Sequence, residues 1–267
     1  MSQLLHDGLR PRRFKMGRTI VALMLREMST TYGRSPGGYL WAILEPIGAI
    51  AMMTLIIAVG LRIRVPGLGV SFPFFFATGI LPLNLFQRVQ QRTSVALNFS
   101  KALLFYPGVT YIDAILARFL VTLLTQLMVT YLVLTGLILI FDTRAVFQAG
   151  PVLTGVLMVA SLGLGIGTLN CYLFAAFPLW QSLWGILTTP LFFMSGIFFV
   201  YESLPVFARD VLWYNPVLHA VSLMRAGFYP TYHASFVSPL YVFSIALIAF
   251  AFGLMLLSRH YRSIINQ

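Results

Sequence analysis

The sequence predicts an all-α integral membrane protein with six transmembrane helices, because it is very poor in charge and contains apolar stretches as long as a bilayer is thick. Of its 267 residues, 59% are hydrophobic and only 9% are charged, whereas soluble domains have about 25% charged residues. A soluble core of this size does not bury that much apolar surface, so the solvent of the apolar stretches must be lipid. We interpret residues 1–267 as a single transmembrane domain.

Six charge-poor stretches are long enough to be membrane spans, for which about 20 mainly apolar residues are needed. They are Tyr39–Leu61, Ser71–Gln87, Phe119–Phe141, Val152–Phe177, Leu179–Tyr201 and Val237–Ser258. The fourth and fifth are separated only by the pair Phe177-Pro178. A residue that precedes proline is pushed out of helical geometry, so the chain is expected to turn there.

The distribution of lysine and arginine predicts that both termini are cytoplasmic, because basic residues next to spans favour that side of the membrane. The basic N-terminal arm, the connection between the second and third spans, and the C-terminus then lie inside. Five arginines remain outside: Arg62, Arg64, Arg144, Arg209 and Arg225. The formal charge of +11 is thus explained by orientation and requires no nucleic acid partner.

The cytoplasmic arm, residues 1–38, contains a predicted amphipathic helix at the membrane interface. Its apolar residues recur at spacings of 7, 4, 3 and 4, which places them on one face of a helix. They are Phe14, Val21, Leu25, Met28 and Tyr32. Such a helix is either a basic anchor at the membrane surface or a docking element for a partner.

A second cytoplasmic segment, residues 88–110, is too polar to span the membrane but has an apolar stripe. We predict a short helix within Arg88–Phe105 that ends near Tyr106-Pro107-Gly108, where proline and glycine supply a stop. The alternative is a plain connector without a functional role.

The segment 202–236 is too apolar for a solvated loop and is interrupted by Pro205, Pro216 and Pro230. Two short helices that dip into the outer leaflet fit this pattern better than a full span. Backbone at that depth must satisfy its own hydrogen bonds, and short helices buried against protein do so.

Enzyme motifs are missing. The chain has two lysines, Lys15 and Lys101, and neither is followed by serine or threonine, so no phosphate-binding loop of the GxxxxGK[ST] type is present. The seven acidic residues are scattered, and no HExxH motif or His-Cys cluster indicates a metal site. We therefore expect no catalytic residue, no metal site and no cofactor in this chain.

Glu45 is the acidic residue that lies clearly within a predicted span, about two turns from its start. Burying a carboxylate in a bilayer is costly, so two interpretations stand. Glu45 either pairs with an arginine of the arm or of a neighbouring span, or it reaches the headgroups. Gly163, Gly165 and Gly167 indicate close helix packing, and the lone His219 is better explained as a hydrogen-bonded structural residue than as a ligand.

Aromatic residues make up 15% of the chain. Most fit an interfacial belt, and a minority interpretation is that some line a path for sugar, because flat rings stack on the C–H faces of sugars.

Several motifs together resemble the membrane subunits of type-2 ABC exporters, and in particular the KpsM-type permeases for capsular polysaccharide export. The motifs are Arg26-Glu27, YGRSPGGYLWAILEP (32–46), GILPLNLF (79–86), KALLFYPGV (101–109), YIDAILAR (111–118), and LWYNPVLH (212–219) followed by Arg225. The resemblance covers nearly the whole chain.

This resemblance implies a homodimeric permease of the bacterial inner membrane. Two copies of a separate ATPase subunit would bind ATP and Mg and drive transport, and the substrate would be a lipid-linked, often acidic polysaccharide. Periplasmic and outer-membrane polysaccharide export proteins are further expected partners, as is membrane lipid.

The expected site residues fall into three groups. ATPase coupling is expected of Arg26, Glu27, Arg88, Arg92, Asn98 and Lys101. The translocation path is expected to include Trp41, Glu45, Phe86, Phe193, Phe198, Tyr201, Trp213 and Tyr214. The periplasmic re-entrant segment is expected to depend on Arg209, Asn215, His219 and Arg225.

Two alternatives to capsule export stand beside this interpretation. One is an exporter of another substrate, such as lipid-linked O-antigen or teichoic acid, or a drug. The other is a membrane sugar or lipid transferase in which Asp210 and His219 act as acid and base.

Overall fold

A computed structural model describes residues 15–31, 37–60, 65–105, 108–143 and 145–266. The regular structure in these ranges is helical. The helices are α1 Lys15–Thr31, α2 Gly38–Leu55, α3 Phe72–Ser94, α4 Ala96–Leu104, α5 Tyr111–Ile140, α6 Ala149–Ala176, α7 Pro178–Thr188, α8 Leu191–Met194, α9 Val206–Leu212, α10 Pro216–Ala226 and α11 Pro239–Asn266. A π-helical turn, Ile56–Gly60, continues α2, and a 3-10 turn, Tyr201–Ser203, precedes α9.

Within the described ranges, four helices are long and apolar enough to cross a membrane. They are Leu40–Ala58, Tyr111–Ile140, Ala149–Ala176 and Pro239–Tyr261. They correspond to the first, third, fourth and sixth predicted spans, so the multi-pass membrane fold is supported while the count of six is not. Helix α3 is not among them, because Asn84, Gln87 and Arg88 lie in its C-terminal half.

The fifth predicted span, Leu179–Tyr201, is not one continuous helix. Helix α7 ends at Thr188, and after Pro190 the short α8 ends at Met194. Proline lacks the N–H that would continue the ladder of hydrogen bonds, and Gly196 adopts a left-handed φ of 77° that turns the chain. The segment is therefore a kinked helix followed by a turn.

Helix α6 is the centre of the fold and packs against α3, α10 and α11. Its glycines allow the close approach: a Cβ on Gly163 would lie 2.9 Å from Val89, and one on Gly167 would lie 2.7 Å from Thr93. A Cβ on Gly165 would collide with the carbonyl oxygen of Ala246 in α11. These contacts confirm that the glycines serve helix packing.

Helix boundaries differ from the predictions in the segment 88–110. Residues Arg88 to Ser94 belong to α3 and not to a separate helix, and the short helix is α4, which begins after a break at Val95. Helix α5 begins at Tyr111, ahead of the predicted span, because Thr110 and Asp113 form a capping box. In segment 202–236 the helices are α9 and α10.

Candidate functional site

A buried ion pair joins α1 to α5. The Nε of Arg118 donates to Oε1 of Glu27 at 2.8 Å, and the two side chains are only 3% and 6% exposed. The Arg118 guanidinium also lies 4.1 Å from the ring centre of Phe99 on α4 and donates to the carbonyl oxygen of Val95 at 3.3 Å. We call Glu27, Val95, Phe99 and Arg118 the α1–α4–α5 cluster.

The α1–α4–α5 cluster contains one of the expected coupling residues, Glu27, and contacts a second. Arg26 lies 5.8 Å from the ring centre of Phe99. The sequence analysis missed Phe99, and it gave Arg118 no partner although this residue ends the motif YIDAILAR (111–118). Arg118 carried a further signal, because it is a lone cation inside the long apolar helix α5, and such a residue needs a partner.

One face of α1 is apolar and is not covered by the part of the chain that the structure describes. Val21, Leu25 and Met28 are exposed, while Glu27 on the opposite side is buried. Phe14 and Tyr32, which were expected to extend this stripe, lie outside the described residues. The face is thus available to lipid or to a partner.

The other expected coupling residues lie on α3 and α4. Arg88 forms an ion pair with Glu45 of α2, in which the side chains are 35% and 61% exposed. This pair agrees with the interpretation that Glu45 bonds an arginine of a neighbouring segment. Arg92 lies in the last turn of α3, and on α4 Asn98 is exposed while Lys101 is half-buried.

Two cavities lie on either side of Arg88 and Arg92. The α2–α3–α5 cavity, of about 150 Å³, is lined among others by Trp41, Glu45 and Gln126. The α3–α7 groove, of about 570 Å³, lies between α3, the end of α6 and α7. Its polar lining consists of Gln87, Arg88, Gln90, Gln91, Arg92, Ser94, Gln181, Trp184 and Thr188.

The residues expected along a translocation path do not lie together in the structure. Trp41 and Glu45 meet Arg88 at the α2–α3–α5 cavity, whereas Phe86 is 2% exposed and belongs to the core. Phe193 is exposed and stacks on Phe198 with 5.8 Å between ring centres. Their role in translocation stays a prediction.

The aromatic residues near the expected outer end are held together by ring contacts and hydrogen bonds. Tyr201 stacks on Phe236 at 3.8 Å and donates its hydroxyl to the carbonyl oxygen of Arg209 at 3.1 Å. Trp213 packs edge-on against Tyr214, with 5.5 Å between ring centres. These rings stabilise the corner between α9 and α10.

Arg225 is buried and holds a turn of backbone in place. Its guanidinium donates to the carbonyl oxygens of Gly196, of Phe199 at 2.9 Å, of Ile197 at 3.0 Å and of Phe75 at 3.4 Å. Arg225 lies outside the candidate spans, and burial lowers its pKa to about 10, so the guanidinium remains protonated at neutral pH. The residue thereby fixes the turn that follows α8.

The other three residues expected in the re-entrant segment also bond backbone carbonyls. Arg209 Nε donates to Leu204 at 2.9 Å, and Asn215 Nδ2 donates to Met194 at 3.0 Å. Asn215 also caps α10, since its Oδ1 accepts from the N–H of Val217 at 3.0 Å. Arg209, Asn215 and Arg225 therefore all bond backbone carbonyl oxygens of α8 or of the segment that follows it.

His219 uses both ring nitrogens. Its Nε2 lies 2.7 Å from the carbonyl oxygen of Trp213, and its Nδ1 accepts from the N–H of Ser238 at 3.2 Å. Only the neutral tautomer with the proton on Nε2 satisfies both bonds, and burial lowers the pKa of this group. These two bonds agree with the structural interpretation of His219, and they leave neither ring nitrogen free for the acid-base role that the transferase alternative gives it.

Comparison with known proteins gives a consistent result. Residues 18–229 match the family described as ABC-2 type transporter. The polysialic acid transport protein KpsM of Escherichia coli is 32% identical over 241 residues, which cover 89% of this chain and 92% of that protein.

Two further relatives are more distant. The capsule polysaccharide export inner-membrane protein CtrC of Neisseria meningitidis serogroup B is 26% identical over 252 residues, or 94% of each chain. The corresponding protein BexB of Haemophilus influenzae is 26% identical over 215 residues, or 80% of each chain.

Proposed function

This chain belongs to the ABC-2 type transporter family, and on that premise we propose that it is the membrane subunit of an ATP-driven exporter. Its cargo is lipid-linked capsular polysaccharide, which moves from the cytoplasm to the periplasm. The observation that carries the proposal is the similarity, over most of the chain, to proteins named for polysialic acid transport or for capsule polysaccharide export.

In the proposed topology the protein crosses the inner membrane six times with both termini in the cytoplasm. Helix α3 and the kinked segment α7–α8 are the additional crossings. The burial of most of α3 supports this assignment, because a half-polar helix spans a bilayer only when protein surrounds its polar side chains. Helices α9 and α10 then lie in the outer leaflet.

Energy is supplied in this proposal by two copies of a separate ATPase, which bind ATP and Mg, while two copies of the present chain form the path. The ATPase contacts α1 and α4. The α1–α4–α5 cluster supports such a contact, since a displacement of α4 acts through Phe99 on Arg118 and thus on α5. Packed helices transmit a displacement in this way because packed interiors resist compression.

The proposal is tested by purifying the chain in detergent together with a candidate ABC-type ATPase from the same genome. We expect the two to copurify and the ATPase rate to change when the membrane chain is present. Replacement of Arg92 and Lys101 by glutamine should uncouple hydrolysis from export while membrane insertion is retained. Surface polysaccharide at the normal level in that variant would remove both residues from the coupling site.

The class of cargo is tested in cells that lack the protein. Accumulation of lipid-linked capsular polysaccharide in the cytoplasm is the expected result. Accumulation of lipid-linked O-antigen or teichoic acid instead would contradict the capsule assignment and leave the transport assignment in place. Periplasmic and outer-membrane export proteins, as further partners, should crosslink to α9 and α10.

A further inference from the structure

Helix α4 is too short to hold its own position. It has 9 residues, whereas isolated helices shorter than about 12 to 15 residues are only marginally stable in water. Its first turn follows Val95, whose side chain accepts no hydrogen bond from the free N–H groups of that turn. The position of α4 is therefore set by the helices against which it packs.

Two sides of α4 contact the rest of the protein. On one side, Phe99 lies against the Arg118 guanidinium of α5, with 4.1 Å between the guanidinium carbon and the ring centre. On another side, Ala96, Leu97 and Ser100 are buried. Because both sides belong to one short helix, a movement of the buried side away from its neighbours also moves Phe99 relative to Arg118.

The buried side of α4 belongs to a small apolar cluster that is separate from the main core. Its buried members come from α4, α5, α6 and α11, and they are Ala96, Leu97, Ile115, Cys171, Leu257 and Ile264. Tyr261 of α11 packs against the same cluster, and its ring centre lies 5.1 Å from that of Tyr111 at the start of α5. We call these eight residues the α4–α11 cluster.

The last turns of α11 contribute to this cluster although they are polar in sequence. The apolar run of α11 ends at Leu257, and Ser258-Arg259-His260 follow it and are exposed. Within this polar stretch Ile264 is only 8% exposed. Leu257, Tyr261 and Ile264 are spaced by 4 and 3 residues, which places them on one face of the helix. The end of α11 therefore packs against α4 and α5 after its apolar run has ended.

The helices behind α4 form a closely packed base. Helices α6 and α11 approach so closely that a Cβ on Gly253 of α11 would lie 2.6 Å from the backbone nitrogen of Leu169 in α6. The exposed residues of α4, Asn98, Ala102 and Phe105, lie on the side away from this base. Close-packed interiors resist compression, so a force on the exposed side of α4 meets resistance from α6 and α11.

We propose that the end of α11 is a positioning element for transport, in which Leu257, Tyr261 and Ile264 hold α4 where Phe99 contacts Arg118. The inference rests on the proposed function for the role of α4 as a contact of the ATPase. Without this support α4 yields to the ATPase and does not displace α5. Ile264 thus acts through α4 and does not itself touch the ATPase.

The first test measures how firmly α4 is held, by hydrogen–deuterium exchange of the full-length protein in phosphatidylcholine nanodiscs. Ile264→Ala removes buried methyl groups from the α4–α11 cluster, so the amides of α4 should exchange about tenfold faster or more. Amides in the middle of α6 should keep their rates. Unchanged exchange of α4 in this variant would overturn the proposal.

The matched control is Ile248→Ala, which makes the same substitution in the same helix at a side chain that is 67% exposed. It should leave the exchange of α4 unchanged, because Ile248 does not belong to the α4–α11 cluster. Equal acceleration in both variants would assign the effect to α11 as a whole and would contradict the role of its last turns.

The second test measures coupling in the complex with the ATPase. Ile264→Ala should leave ATPase binding and hydrolysis nearly unchanged and lower export by about fivefold or more, since packed residues remote from both sites change the coupling between them. Ile264→Val keeps most of the buried side chain and should restore most of the export. It also serves if the alanine variant does not fold, because its smaller loss should likewise fall on export and not on hydrolysis.

Two results of this second test would overturn the positioning role. A parallel fall of hydrolysis and export would indicate a loss of folded complex, and normal export with a loosened α4 would limit Ile264 to the fold.

These outcomes are distinguishable from a failure of the proposed function. A wild-type chain that does not copurify with an ATPase contradicts the exporter, and the positioning role in transport is wrong with it. A wild-type complex that exports polymer, beside an Ile264→Ala complex that exports it equally well, contradicts the positioning role alone and leaves the exporter intact.

Discussion

Glu27 of α1 and Arg118 of α5 form an ion pair across 91 positions of sequence, and both side chains are almost completely buried. Helix α1 is therefore fixed to the membrane domain on its polar side, while its apolar face stays exposed. The aromatic ring of Phe99 adds α4 to the same contact. The α1–α4–α5 cluster thus joins α1 and α4 to α5.

Replacing Glu27 by glutamine should strongly destabilise the protein, because it leaves the buried Arg118 guanidinium without its counter-charge. Breaking a buried pair from one side costs about 3 to 5 kcal/mol. The control is Glu45→Gln, which breaks the exposed pair with Arg88 and should cost about 1 kcal/mol or less. Thermal unfolding of both variants in detergent measures the difference, and equal melting temperatures would contradict the prediction.

Replacing Arg225 by lysine should lower the stability of the protein. The guanidinium bonds four backbone carbonyl oxygens, and the smaller ammonium group of lysine does not reach all of them. Each buried carbonyl left unpaired costs about 1 to 3 kcal/mol. Arg209→Lys, in which a single bond to Leu204 is at stake, is the matched control. The yield of monodisperse protein and its melting temperature report the effect, and similar values for the two variants would argue against it.

Replacing Gly165 by alanine should destabilise the contact between α6 and α11, because the added methyl group collides with the carbonyl of Ala246. Overpacking of this kind costs about 1 to 3 kcal/mol. Gly136→Ala in α5 is the control, since a Cβ there meets open space and should improve helix stability by about 0.5 to 1 kcal/mol. Opposite shifts in melting temperature are expected, and a neutral Gly165→Ala would be inconsistent with the packing.

Stability should fall as the pH is lowered through the titration of His219. Burial lowers the pKa of this imidazole from its ordinary value of 6.5, so the unfolded chain binds its proton first. The stability that depends on a neutral His219 is then fully present above pH 6.5, and it is lost as the pH falls below that value. The rings packed on His219 belong to Trp213, Phe236 and Tyr241, and none is charged at neutral pH.

Melting temperatures of the wild type and of His219→Gln, measured between pH 8 and pH 5, check this dependence. The wild type should lose more stability on acidification than the variant, which has no imidazole at that position. Parallel curves would assign the loss to other groups.

The long apolar helices were readable from the sequence because lipid demands a continuous run of about 20 residues. The glycines of α6 were equally informative, since close approach requires a small residue. Pro190 was visible as a helix breaker, and the fifth span should have been divided there. The extension of α3 beyond Arg88 could not be predicted from the sequence. The polar side chains in this part of the helix lie beside cavities and neighbouring helices, which only the folded structure shows.

The partners of charged residues were less predictable. Glu27 was assigned to coupling, yet nothing in its local sequence identifies Arg118 as its partner, since that contact depends on how α1 packs on α5. Three of the four carbonyls bonded by Arg225 belong to a turn that contains Gly196, and the fourth is that of Phe75 in α3. The groove residue Gln181 was missed for the same reason, because α7 and α3 meet only in the folded chain.

The hydrogen bonds between Arg225 and the turn after α8 join residues that are synthesised at different times. Gly196 and Phe199 leave the ribosome before Arg225 does, by 29 and 26 residues respectively, so the turn after α8 has no cation to close it while the chain is still growing. The hydrogen bonds from Arg225 to this turn therefore form only after α10 has been synthesised.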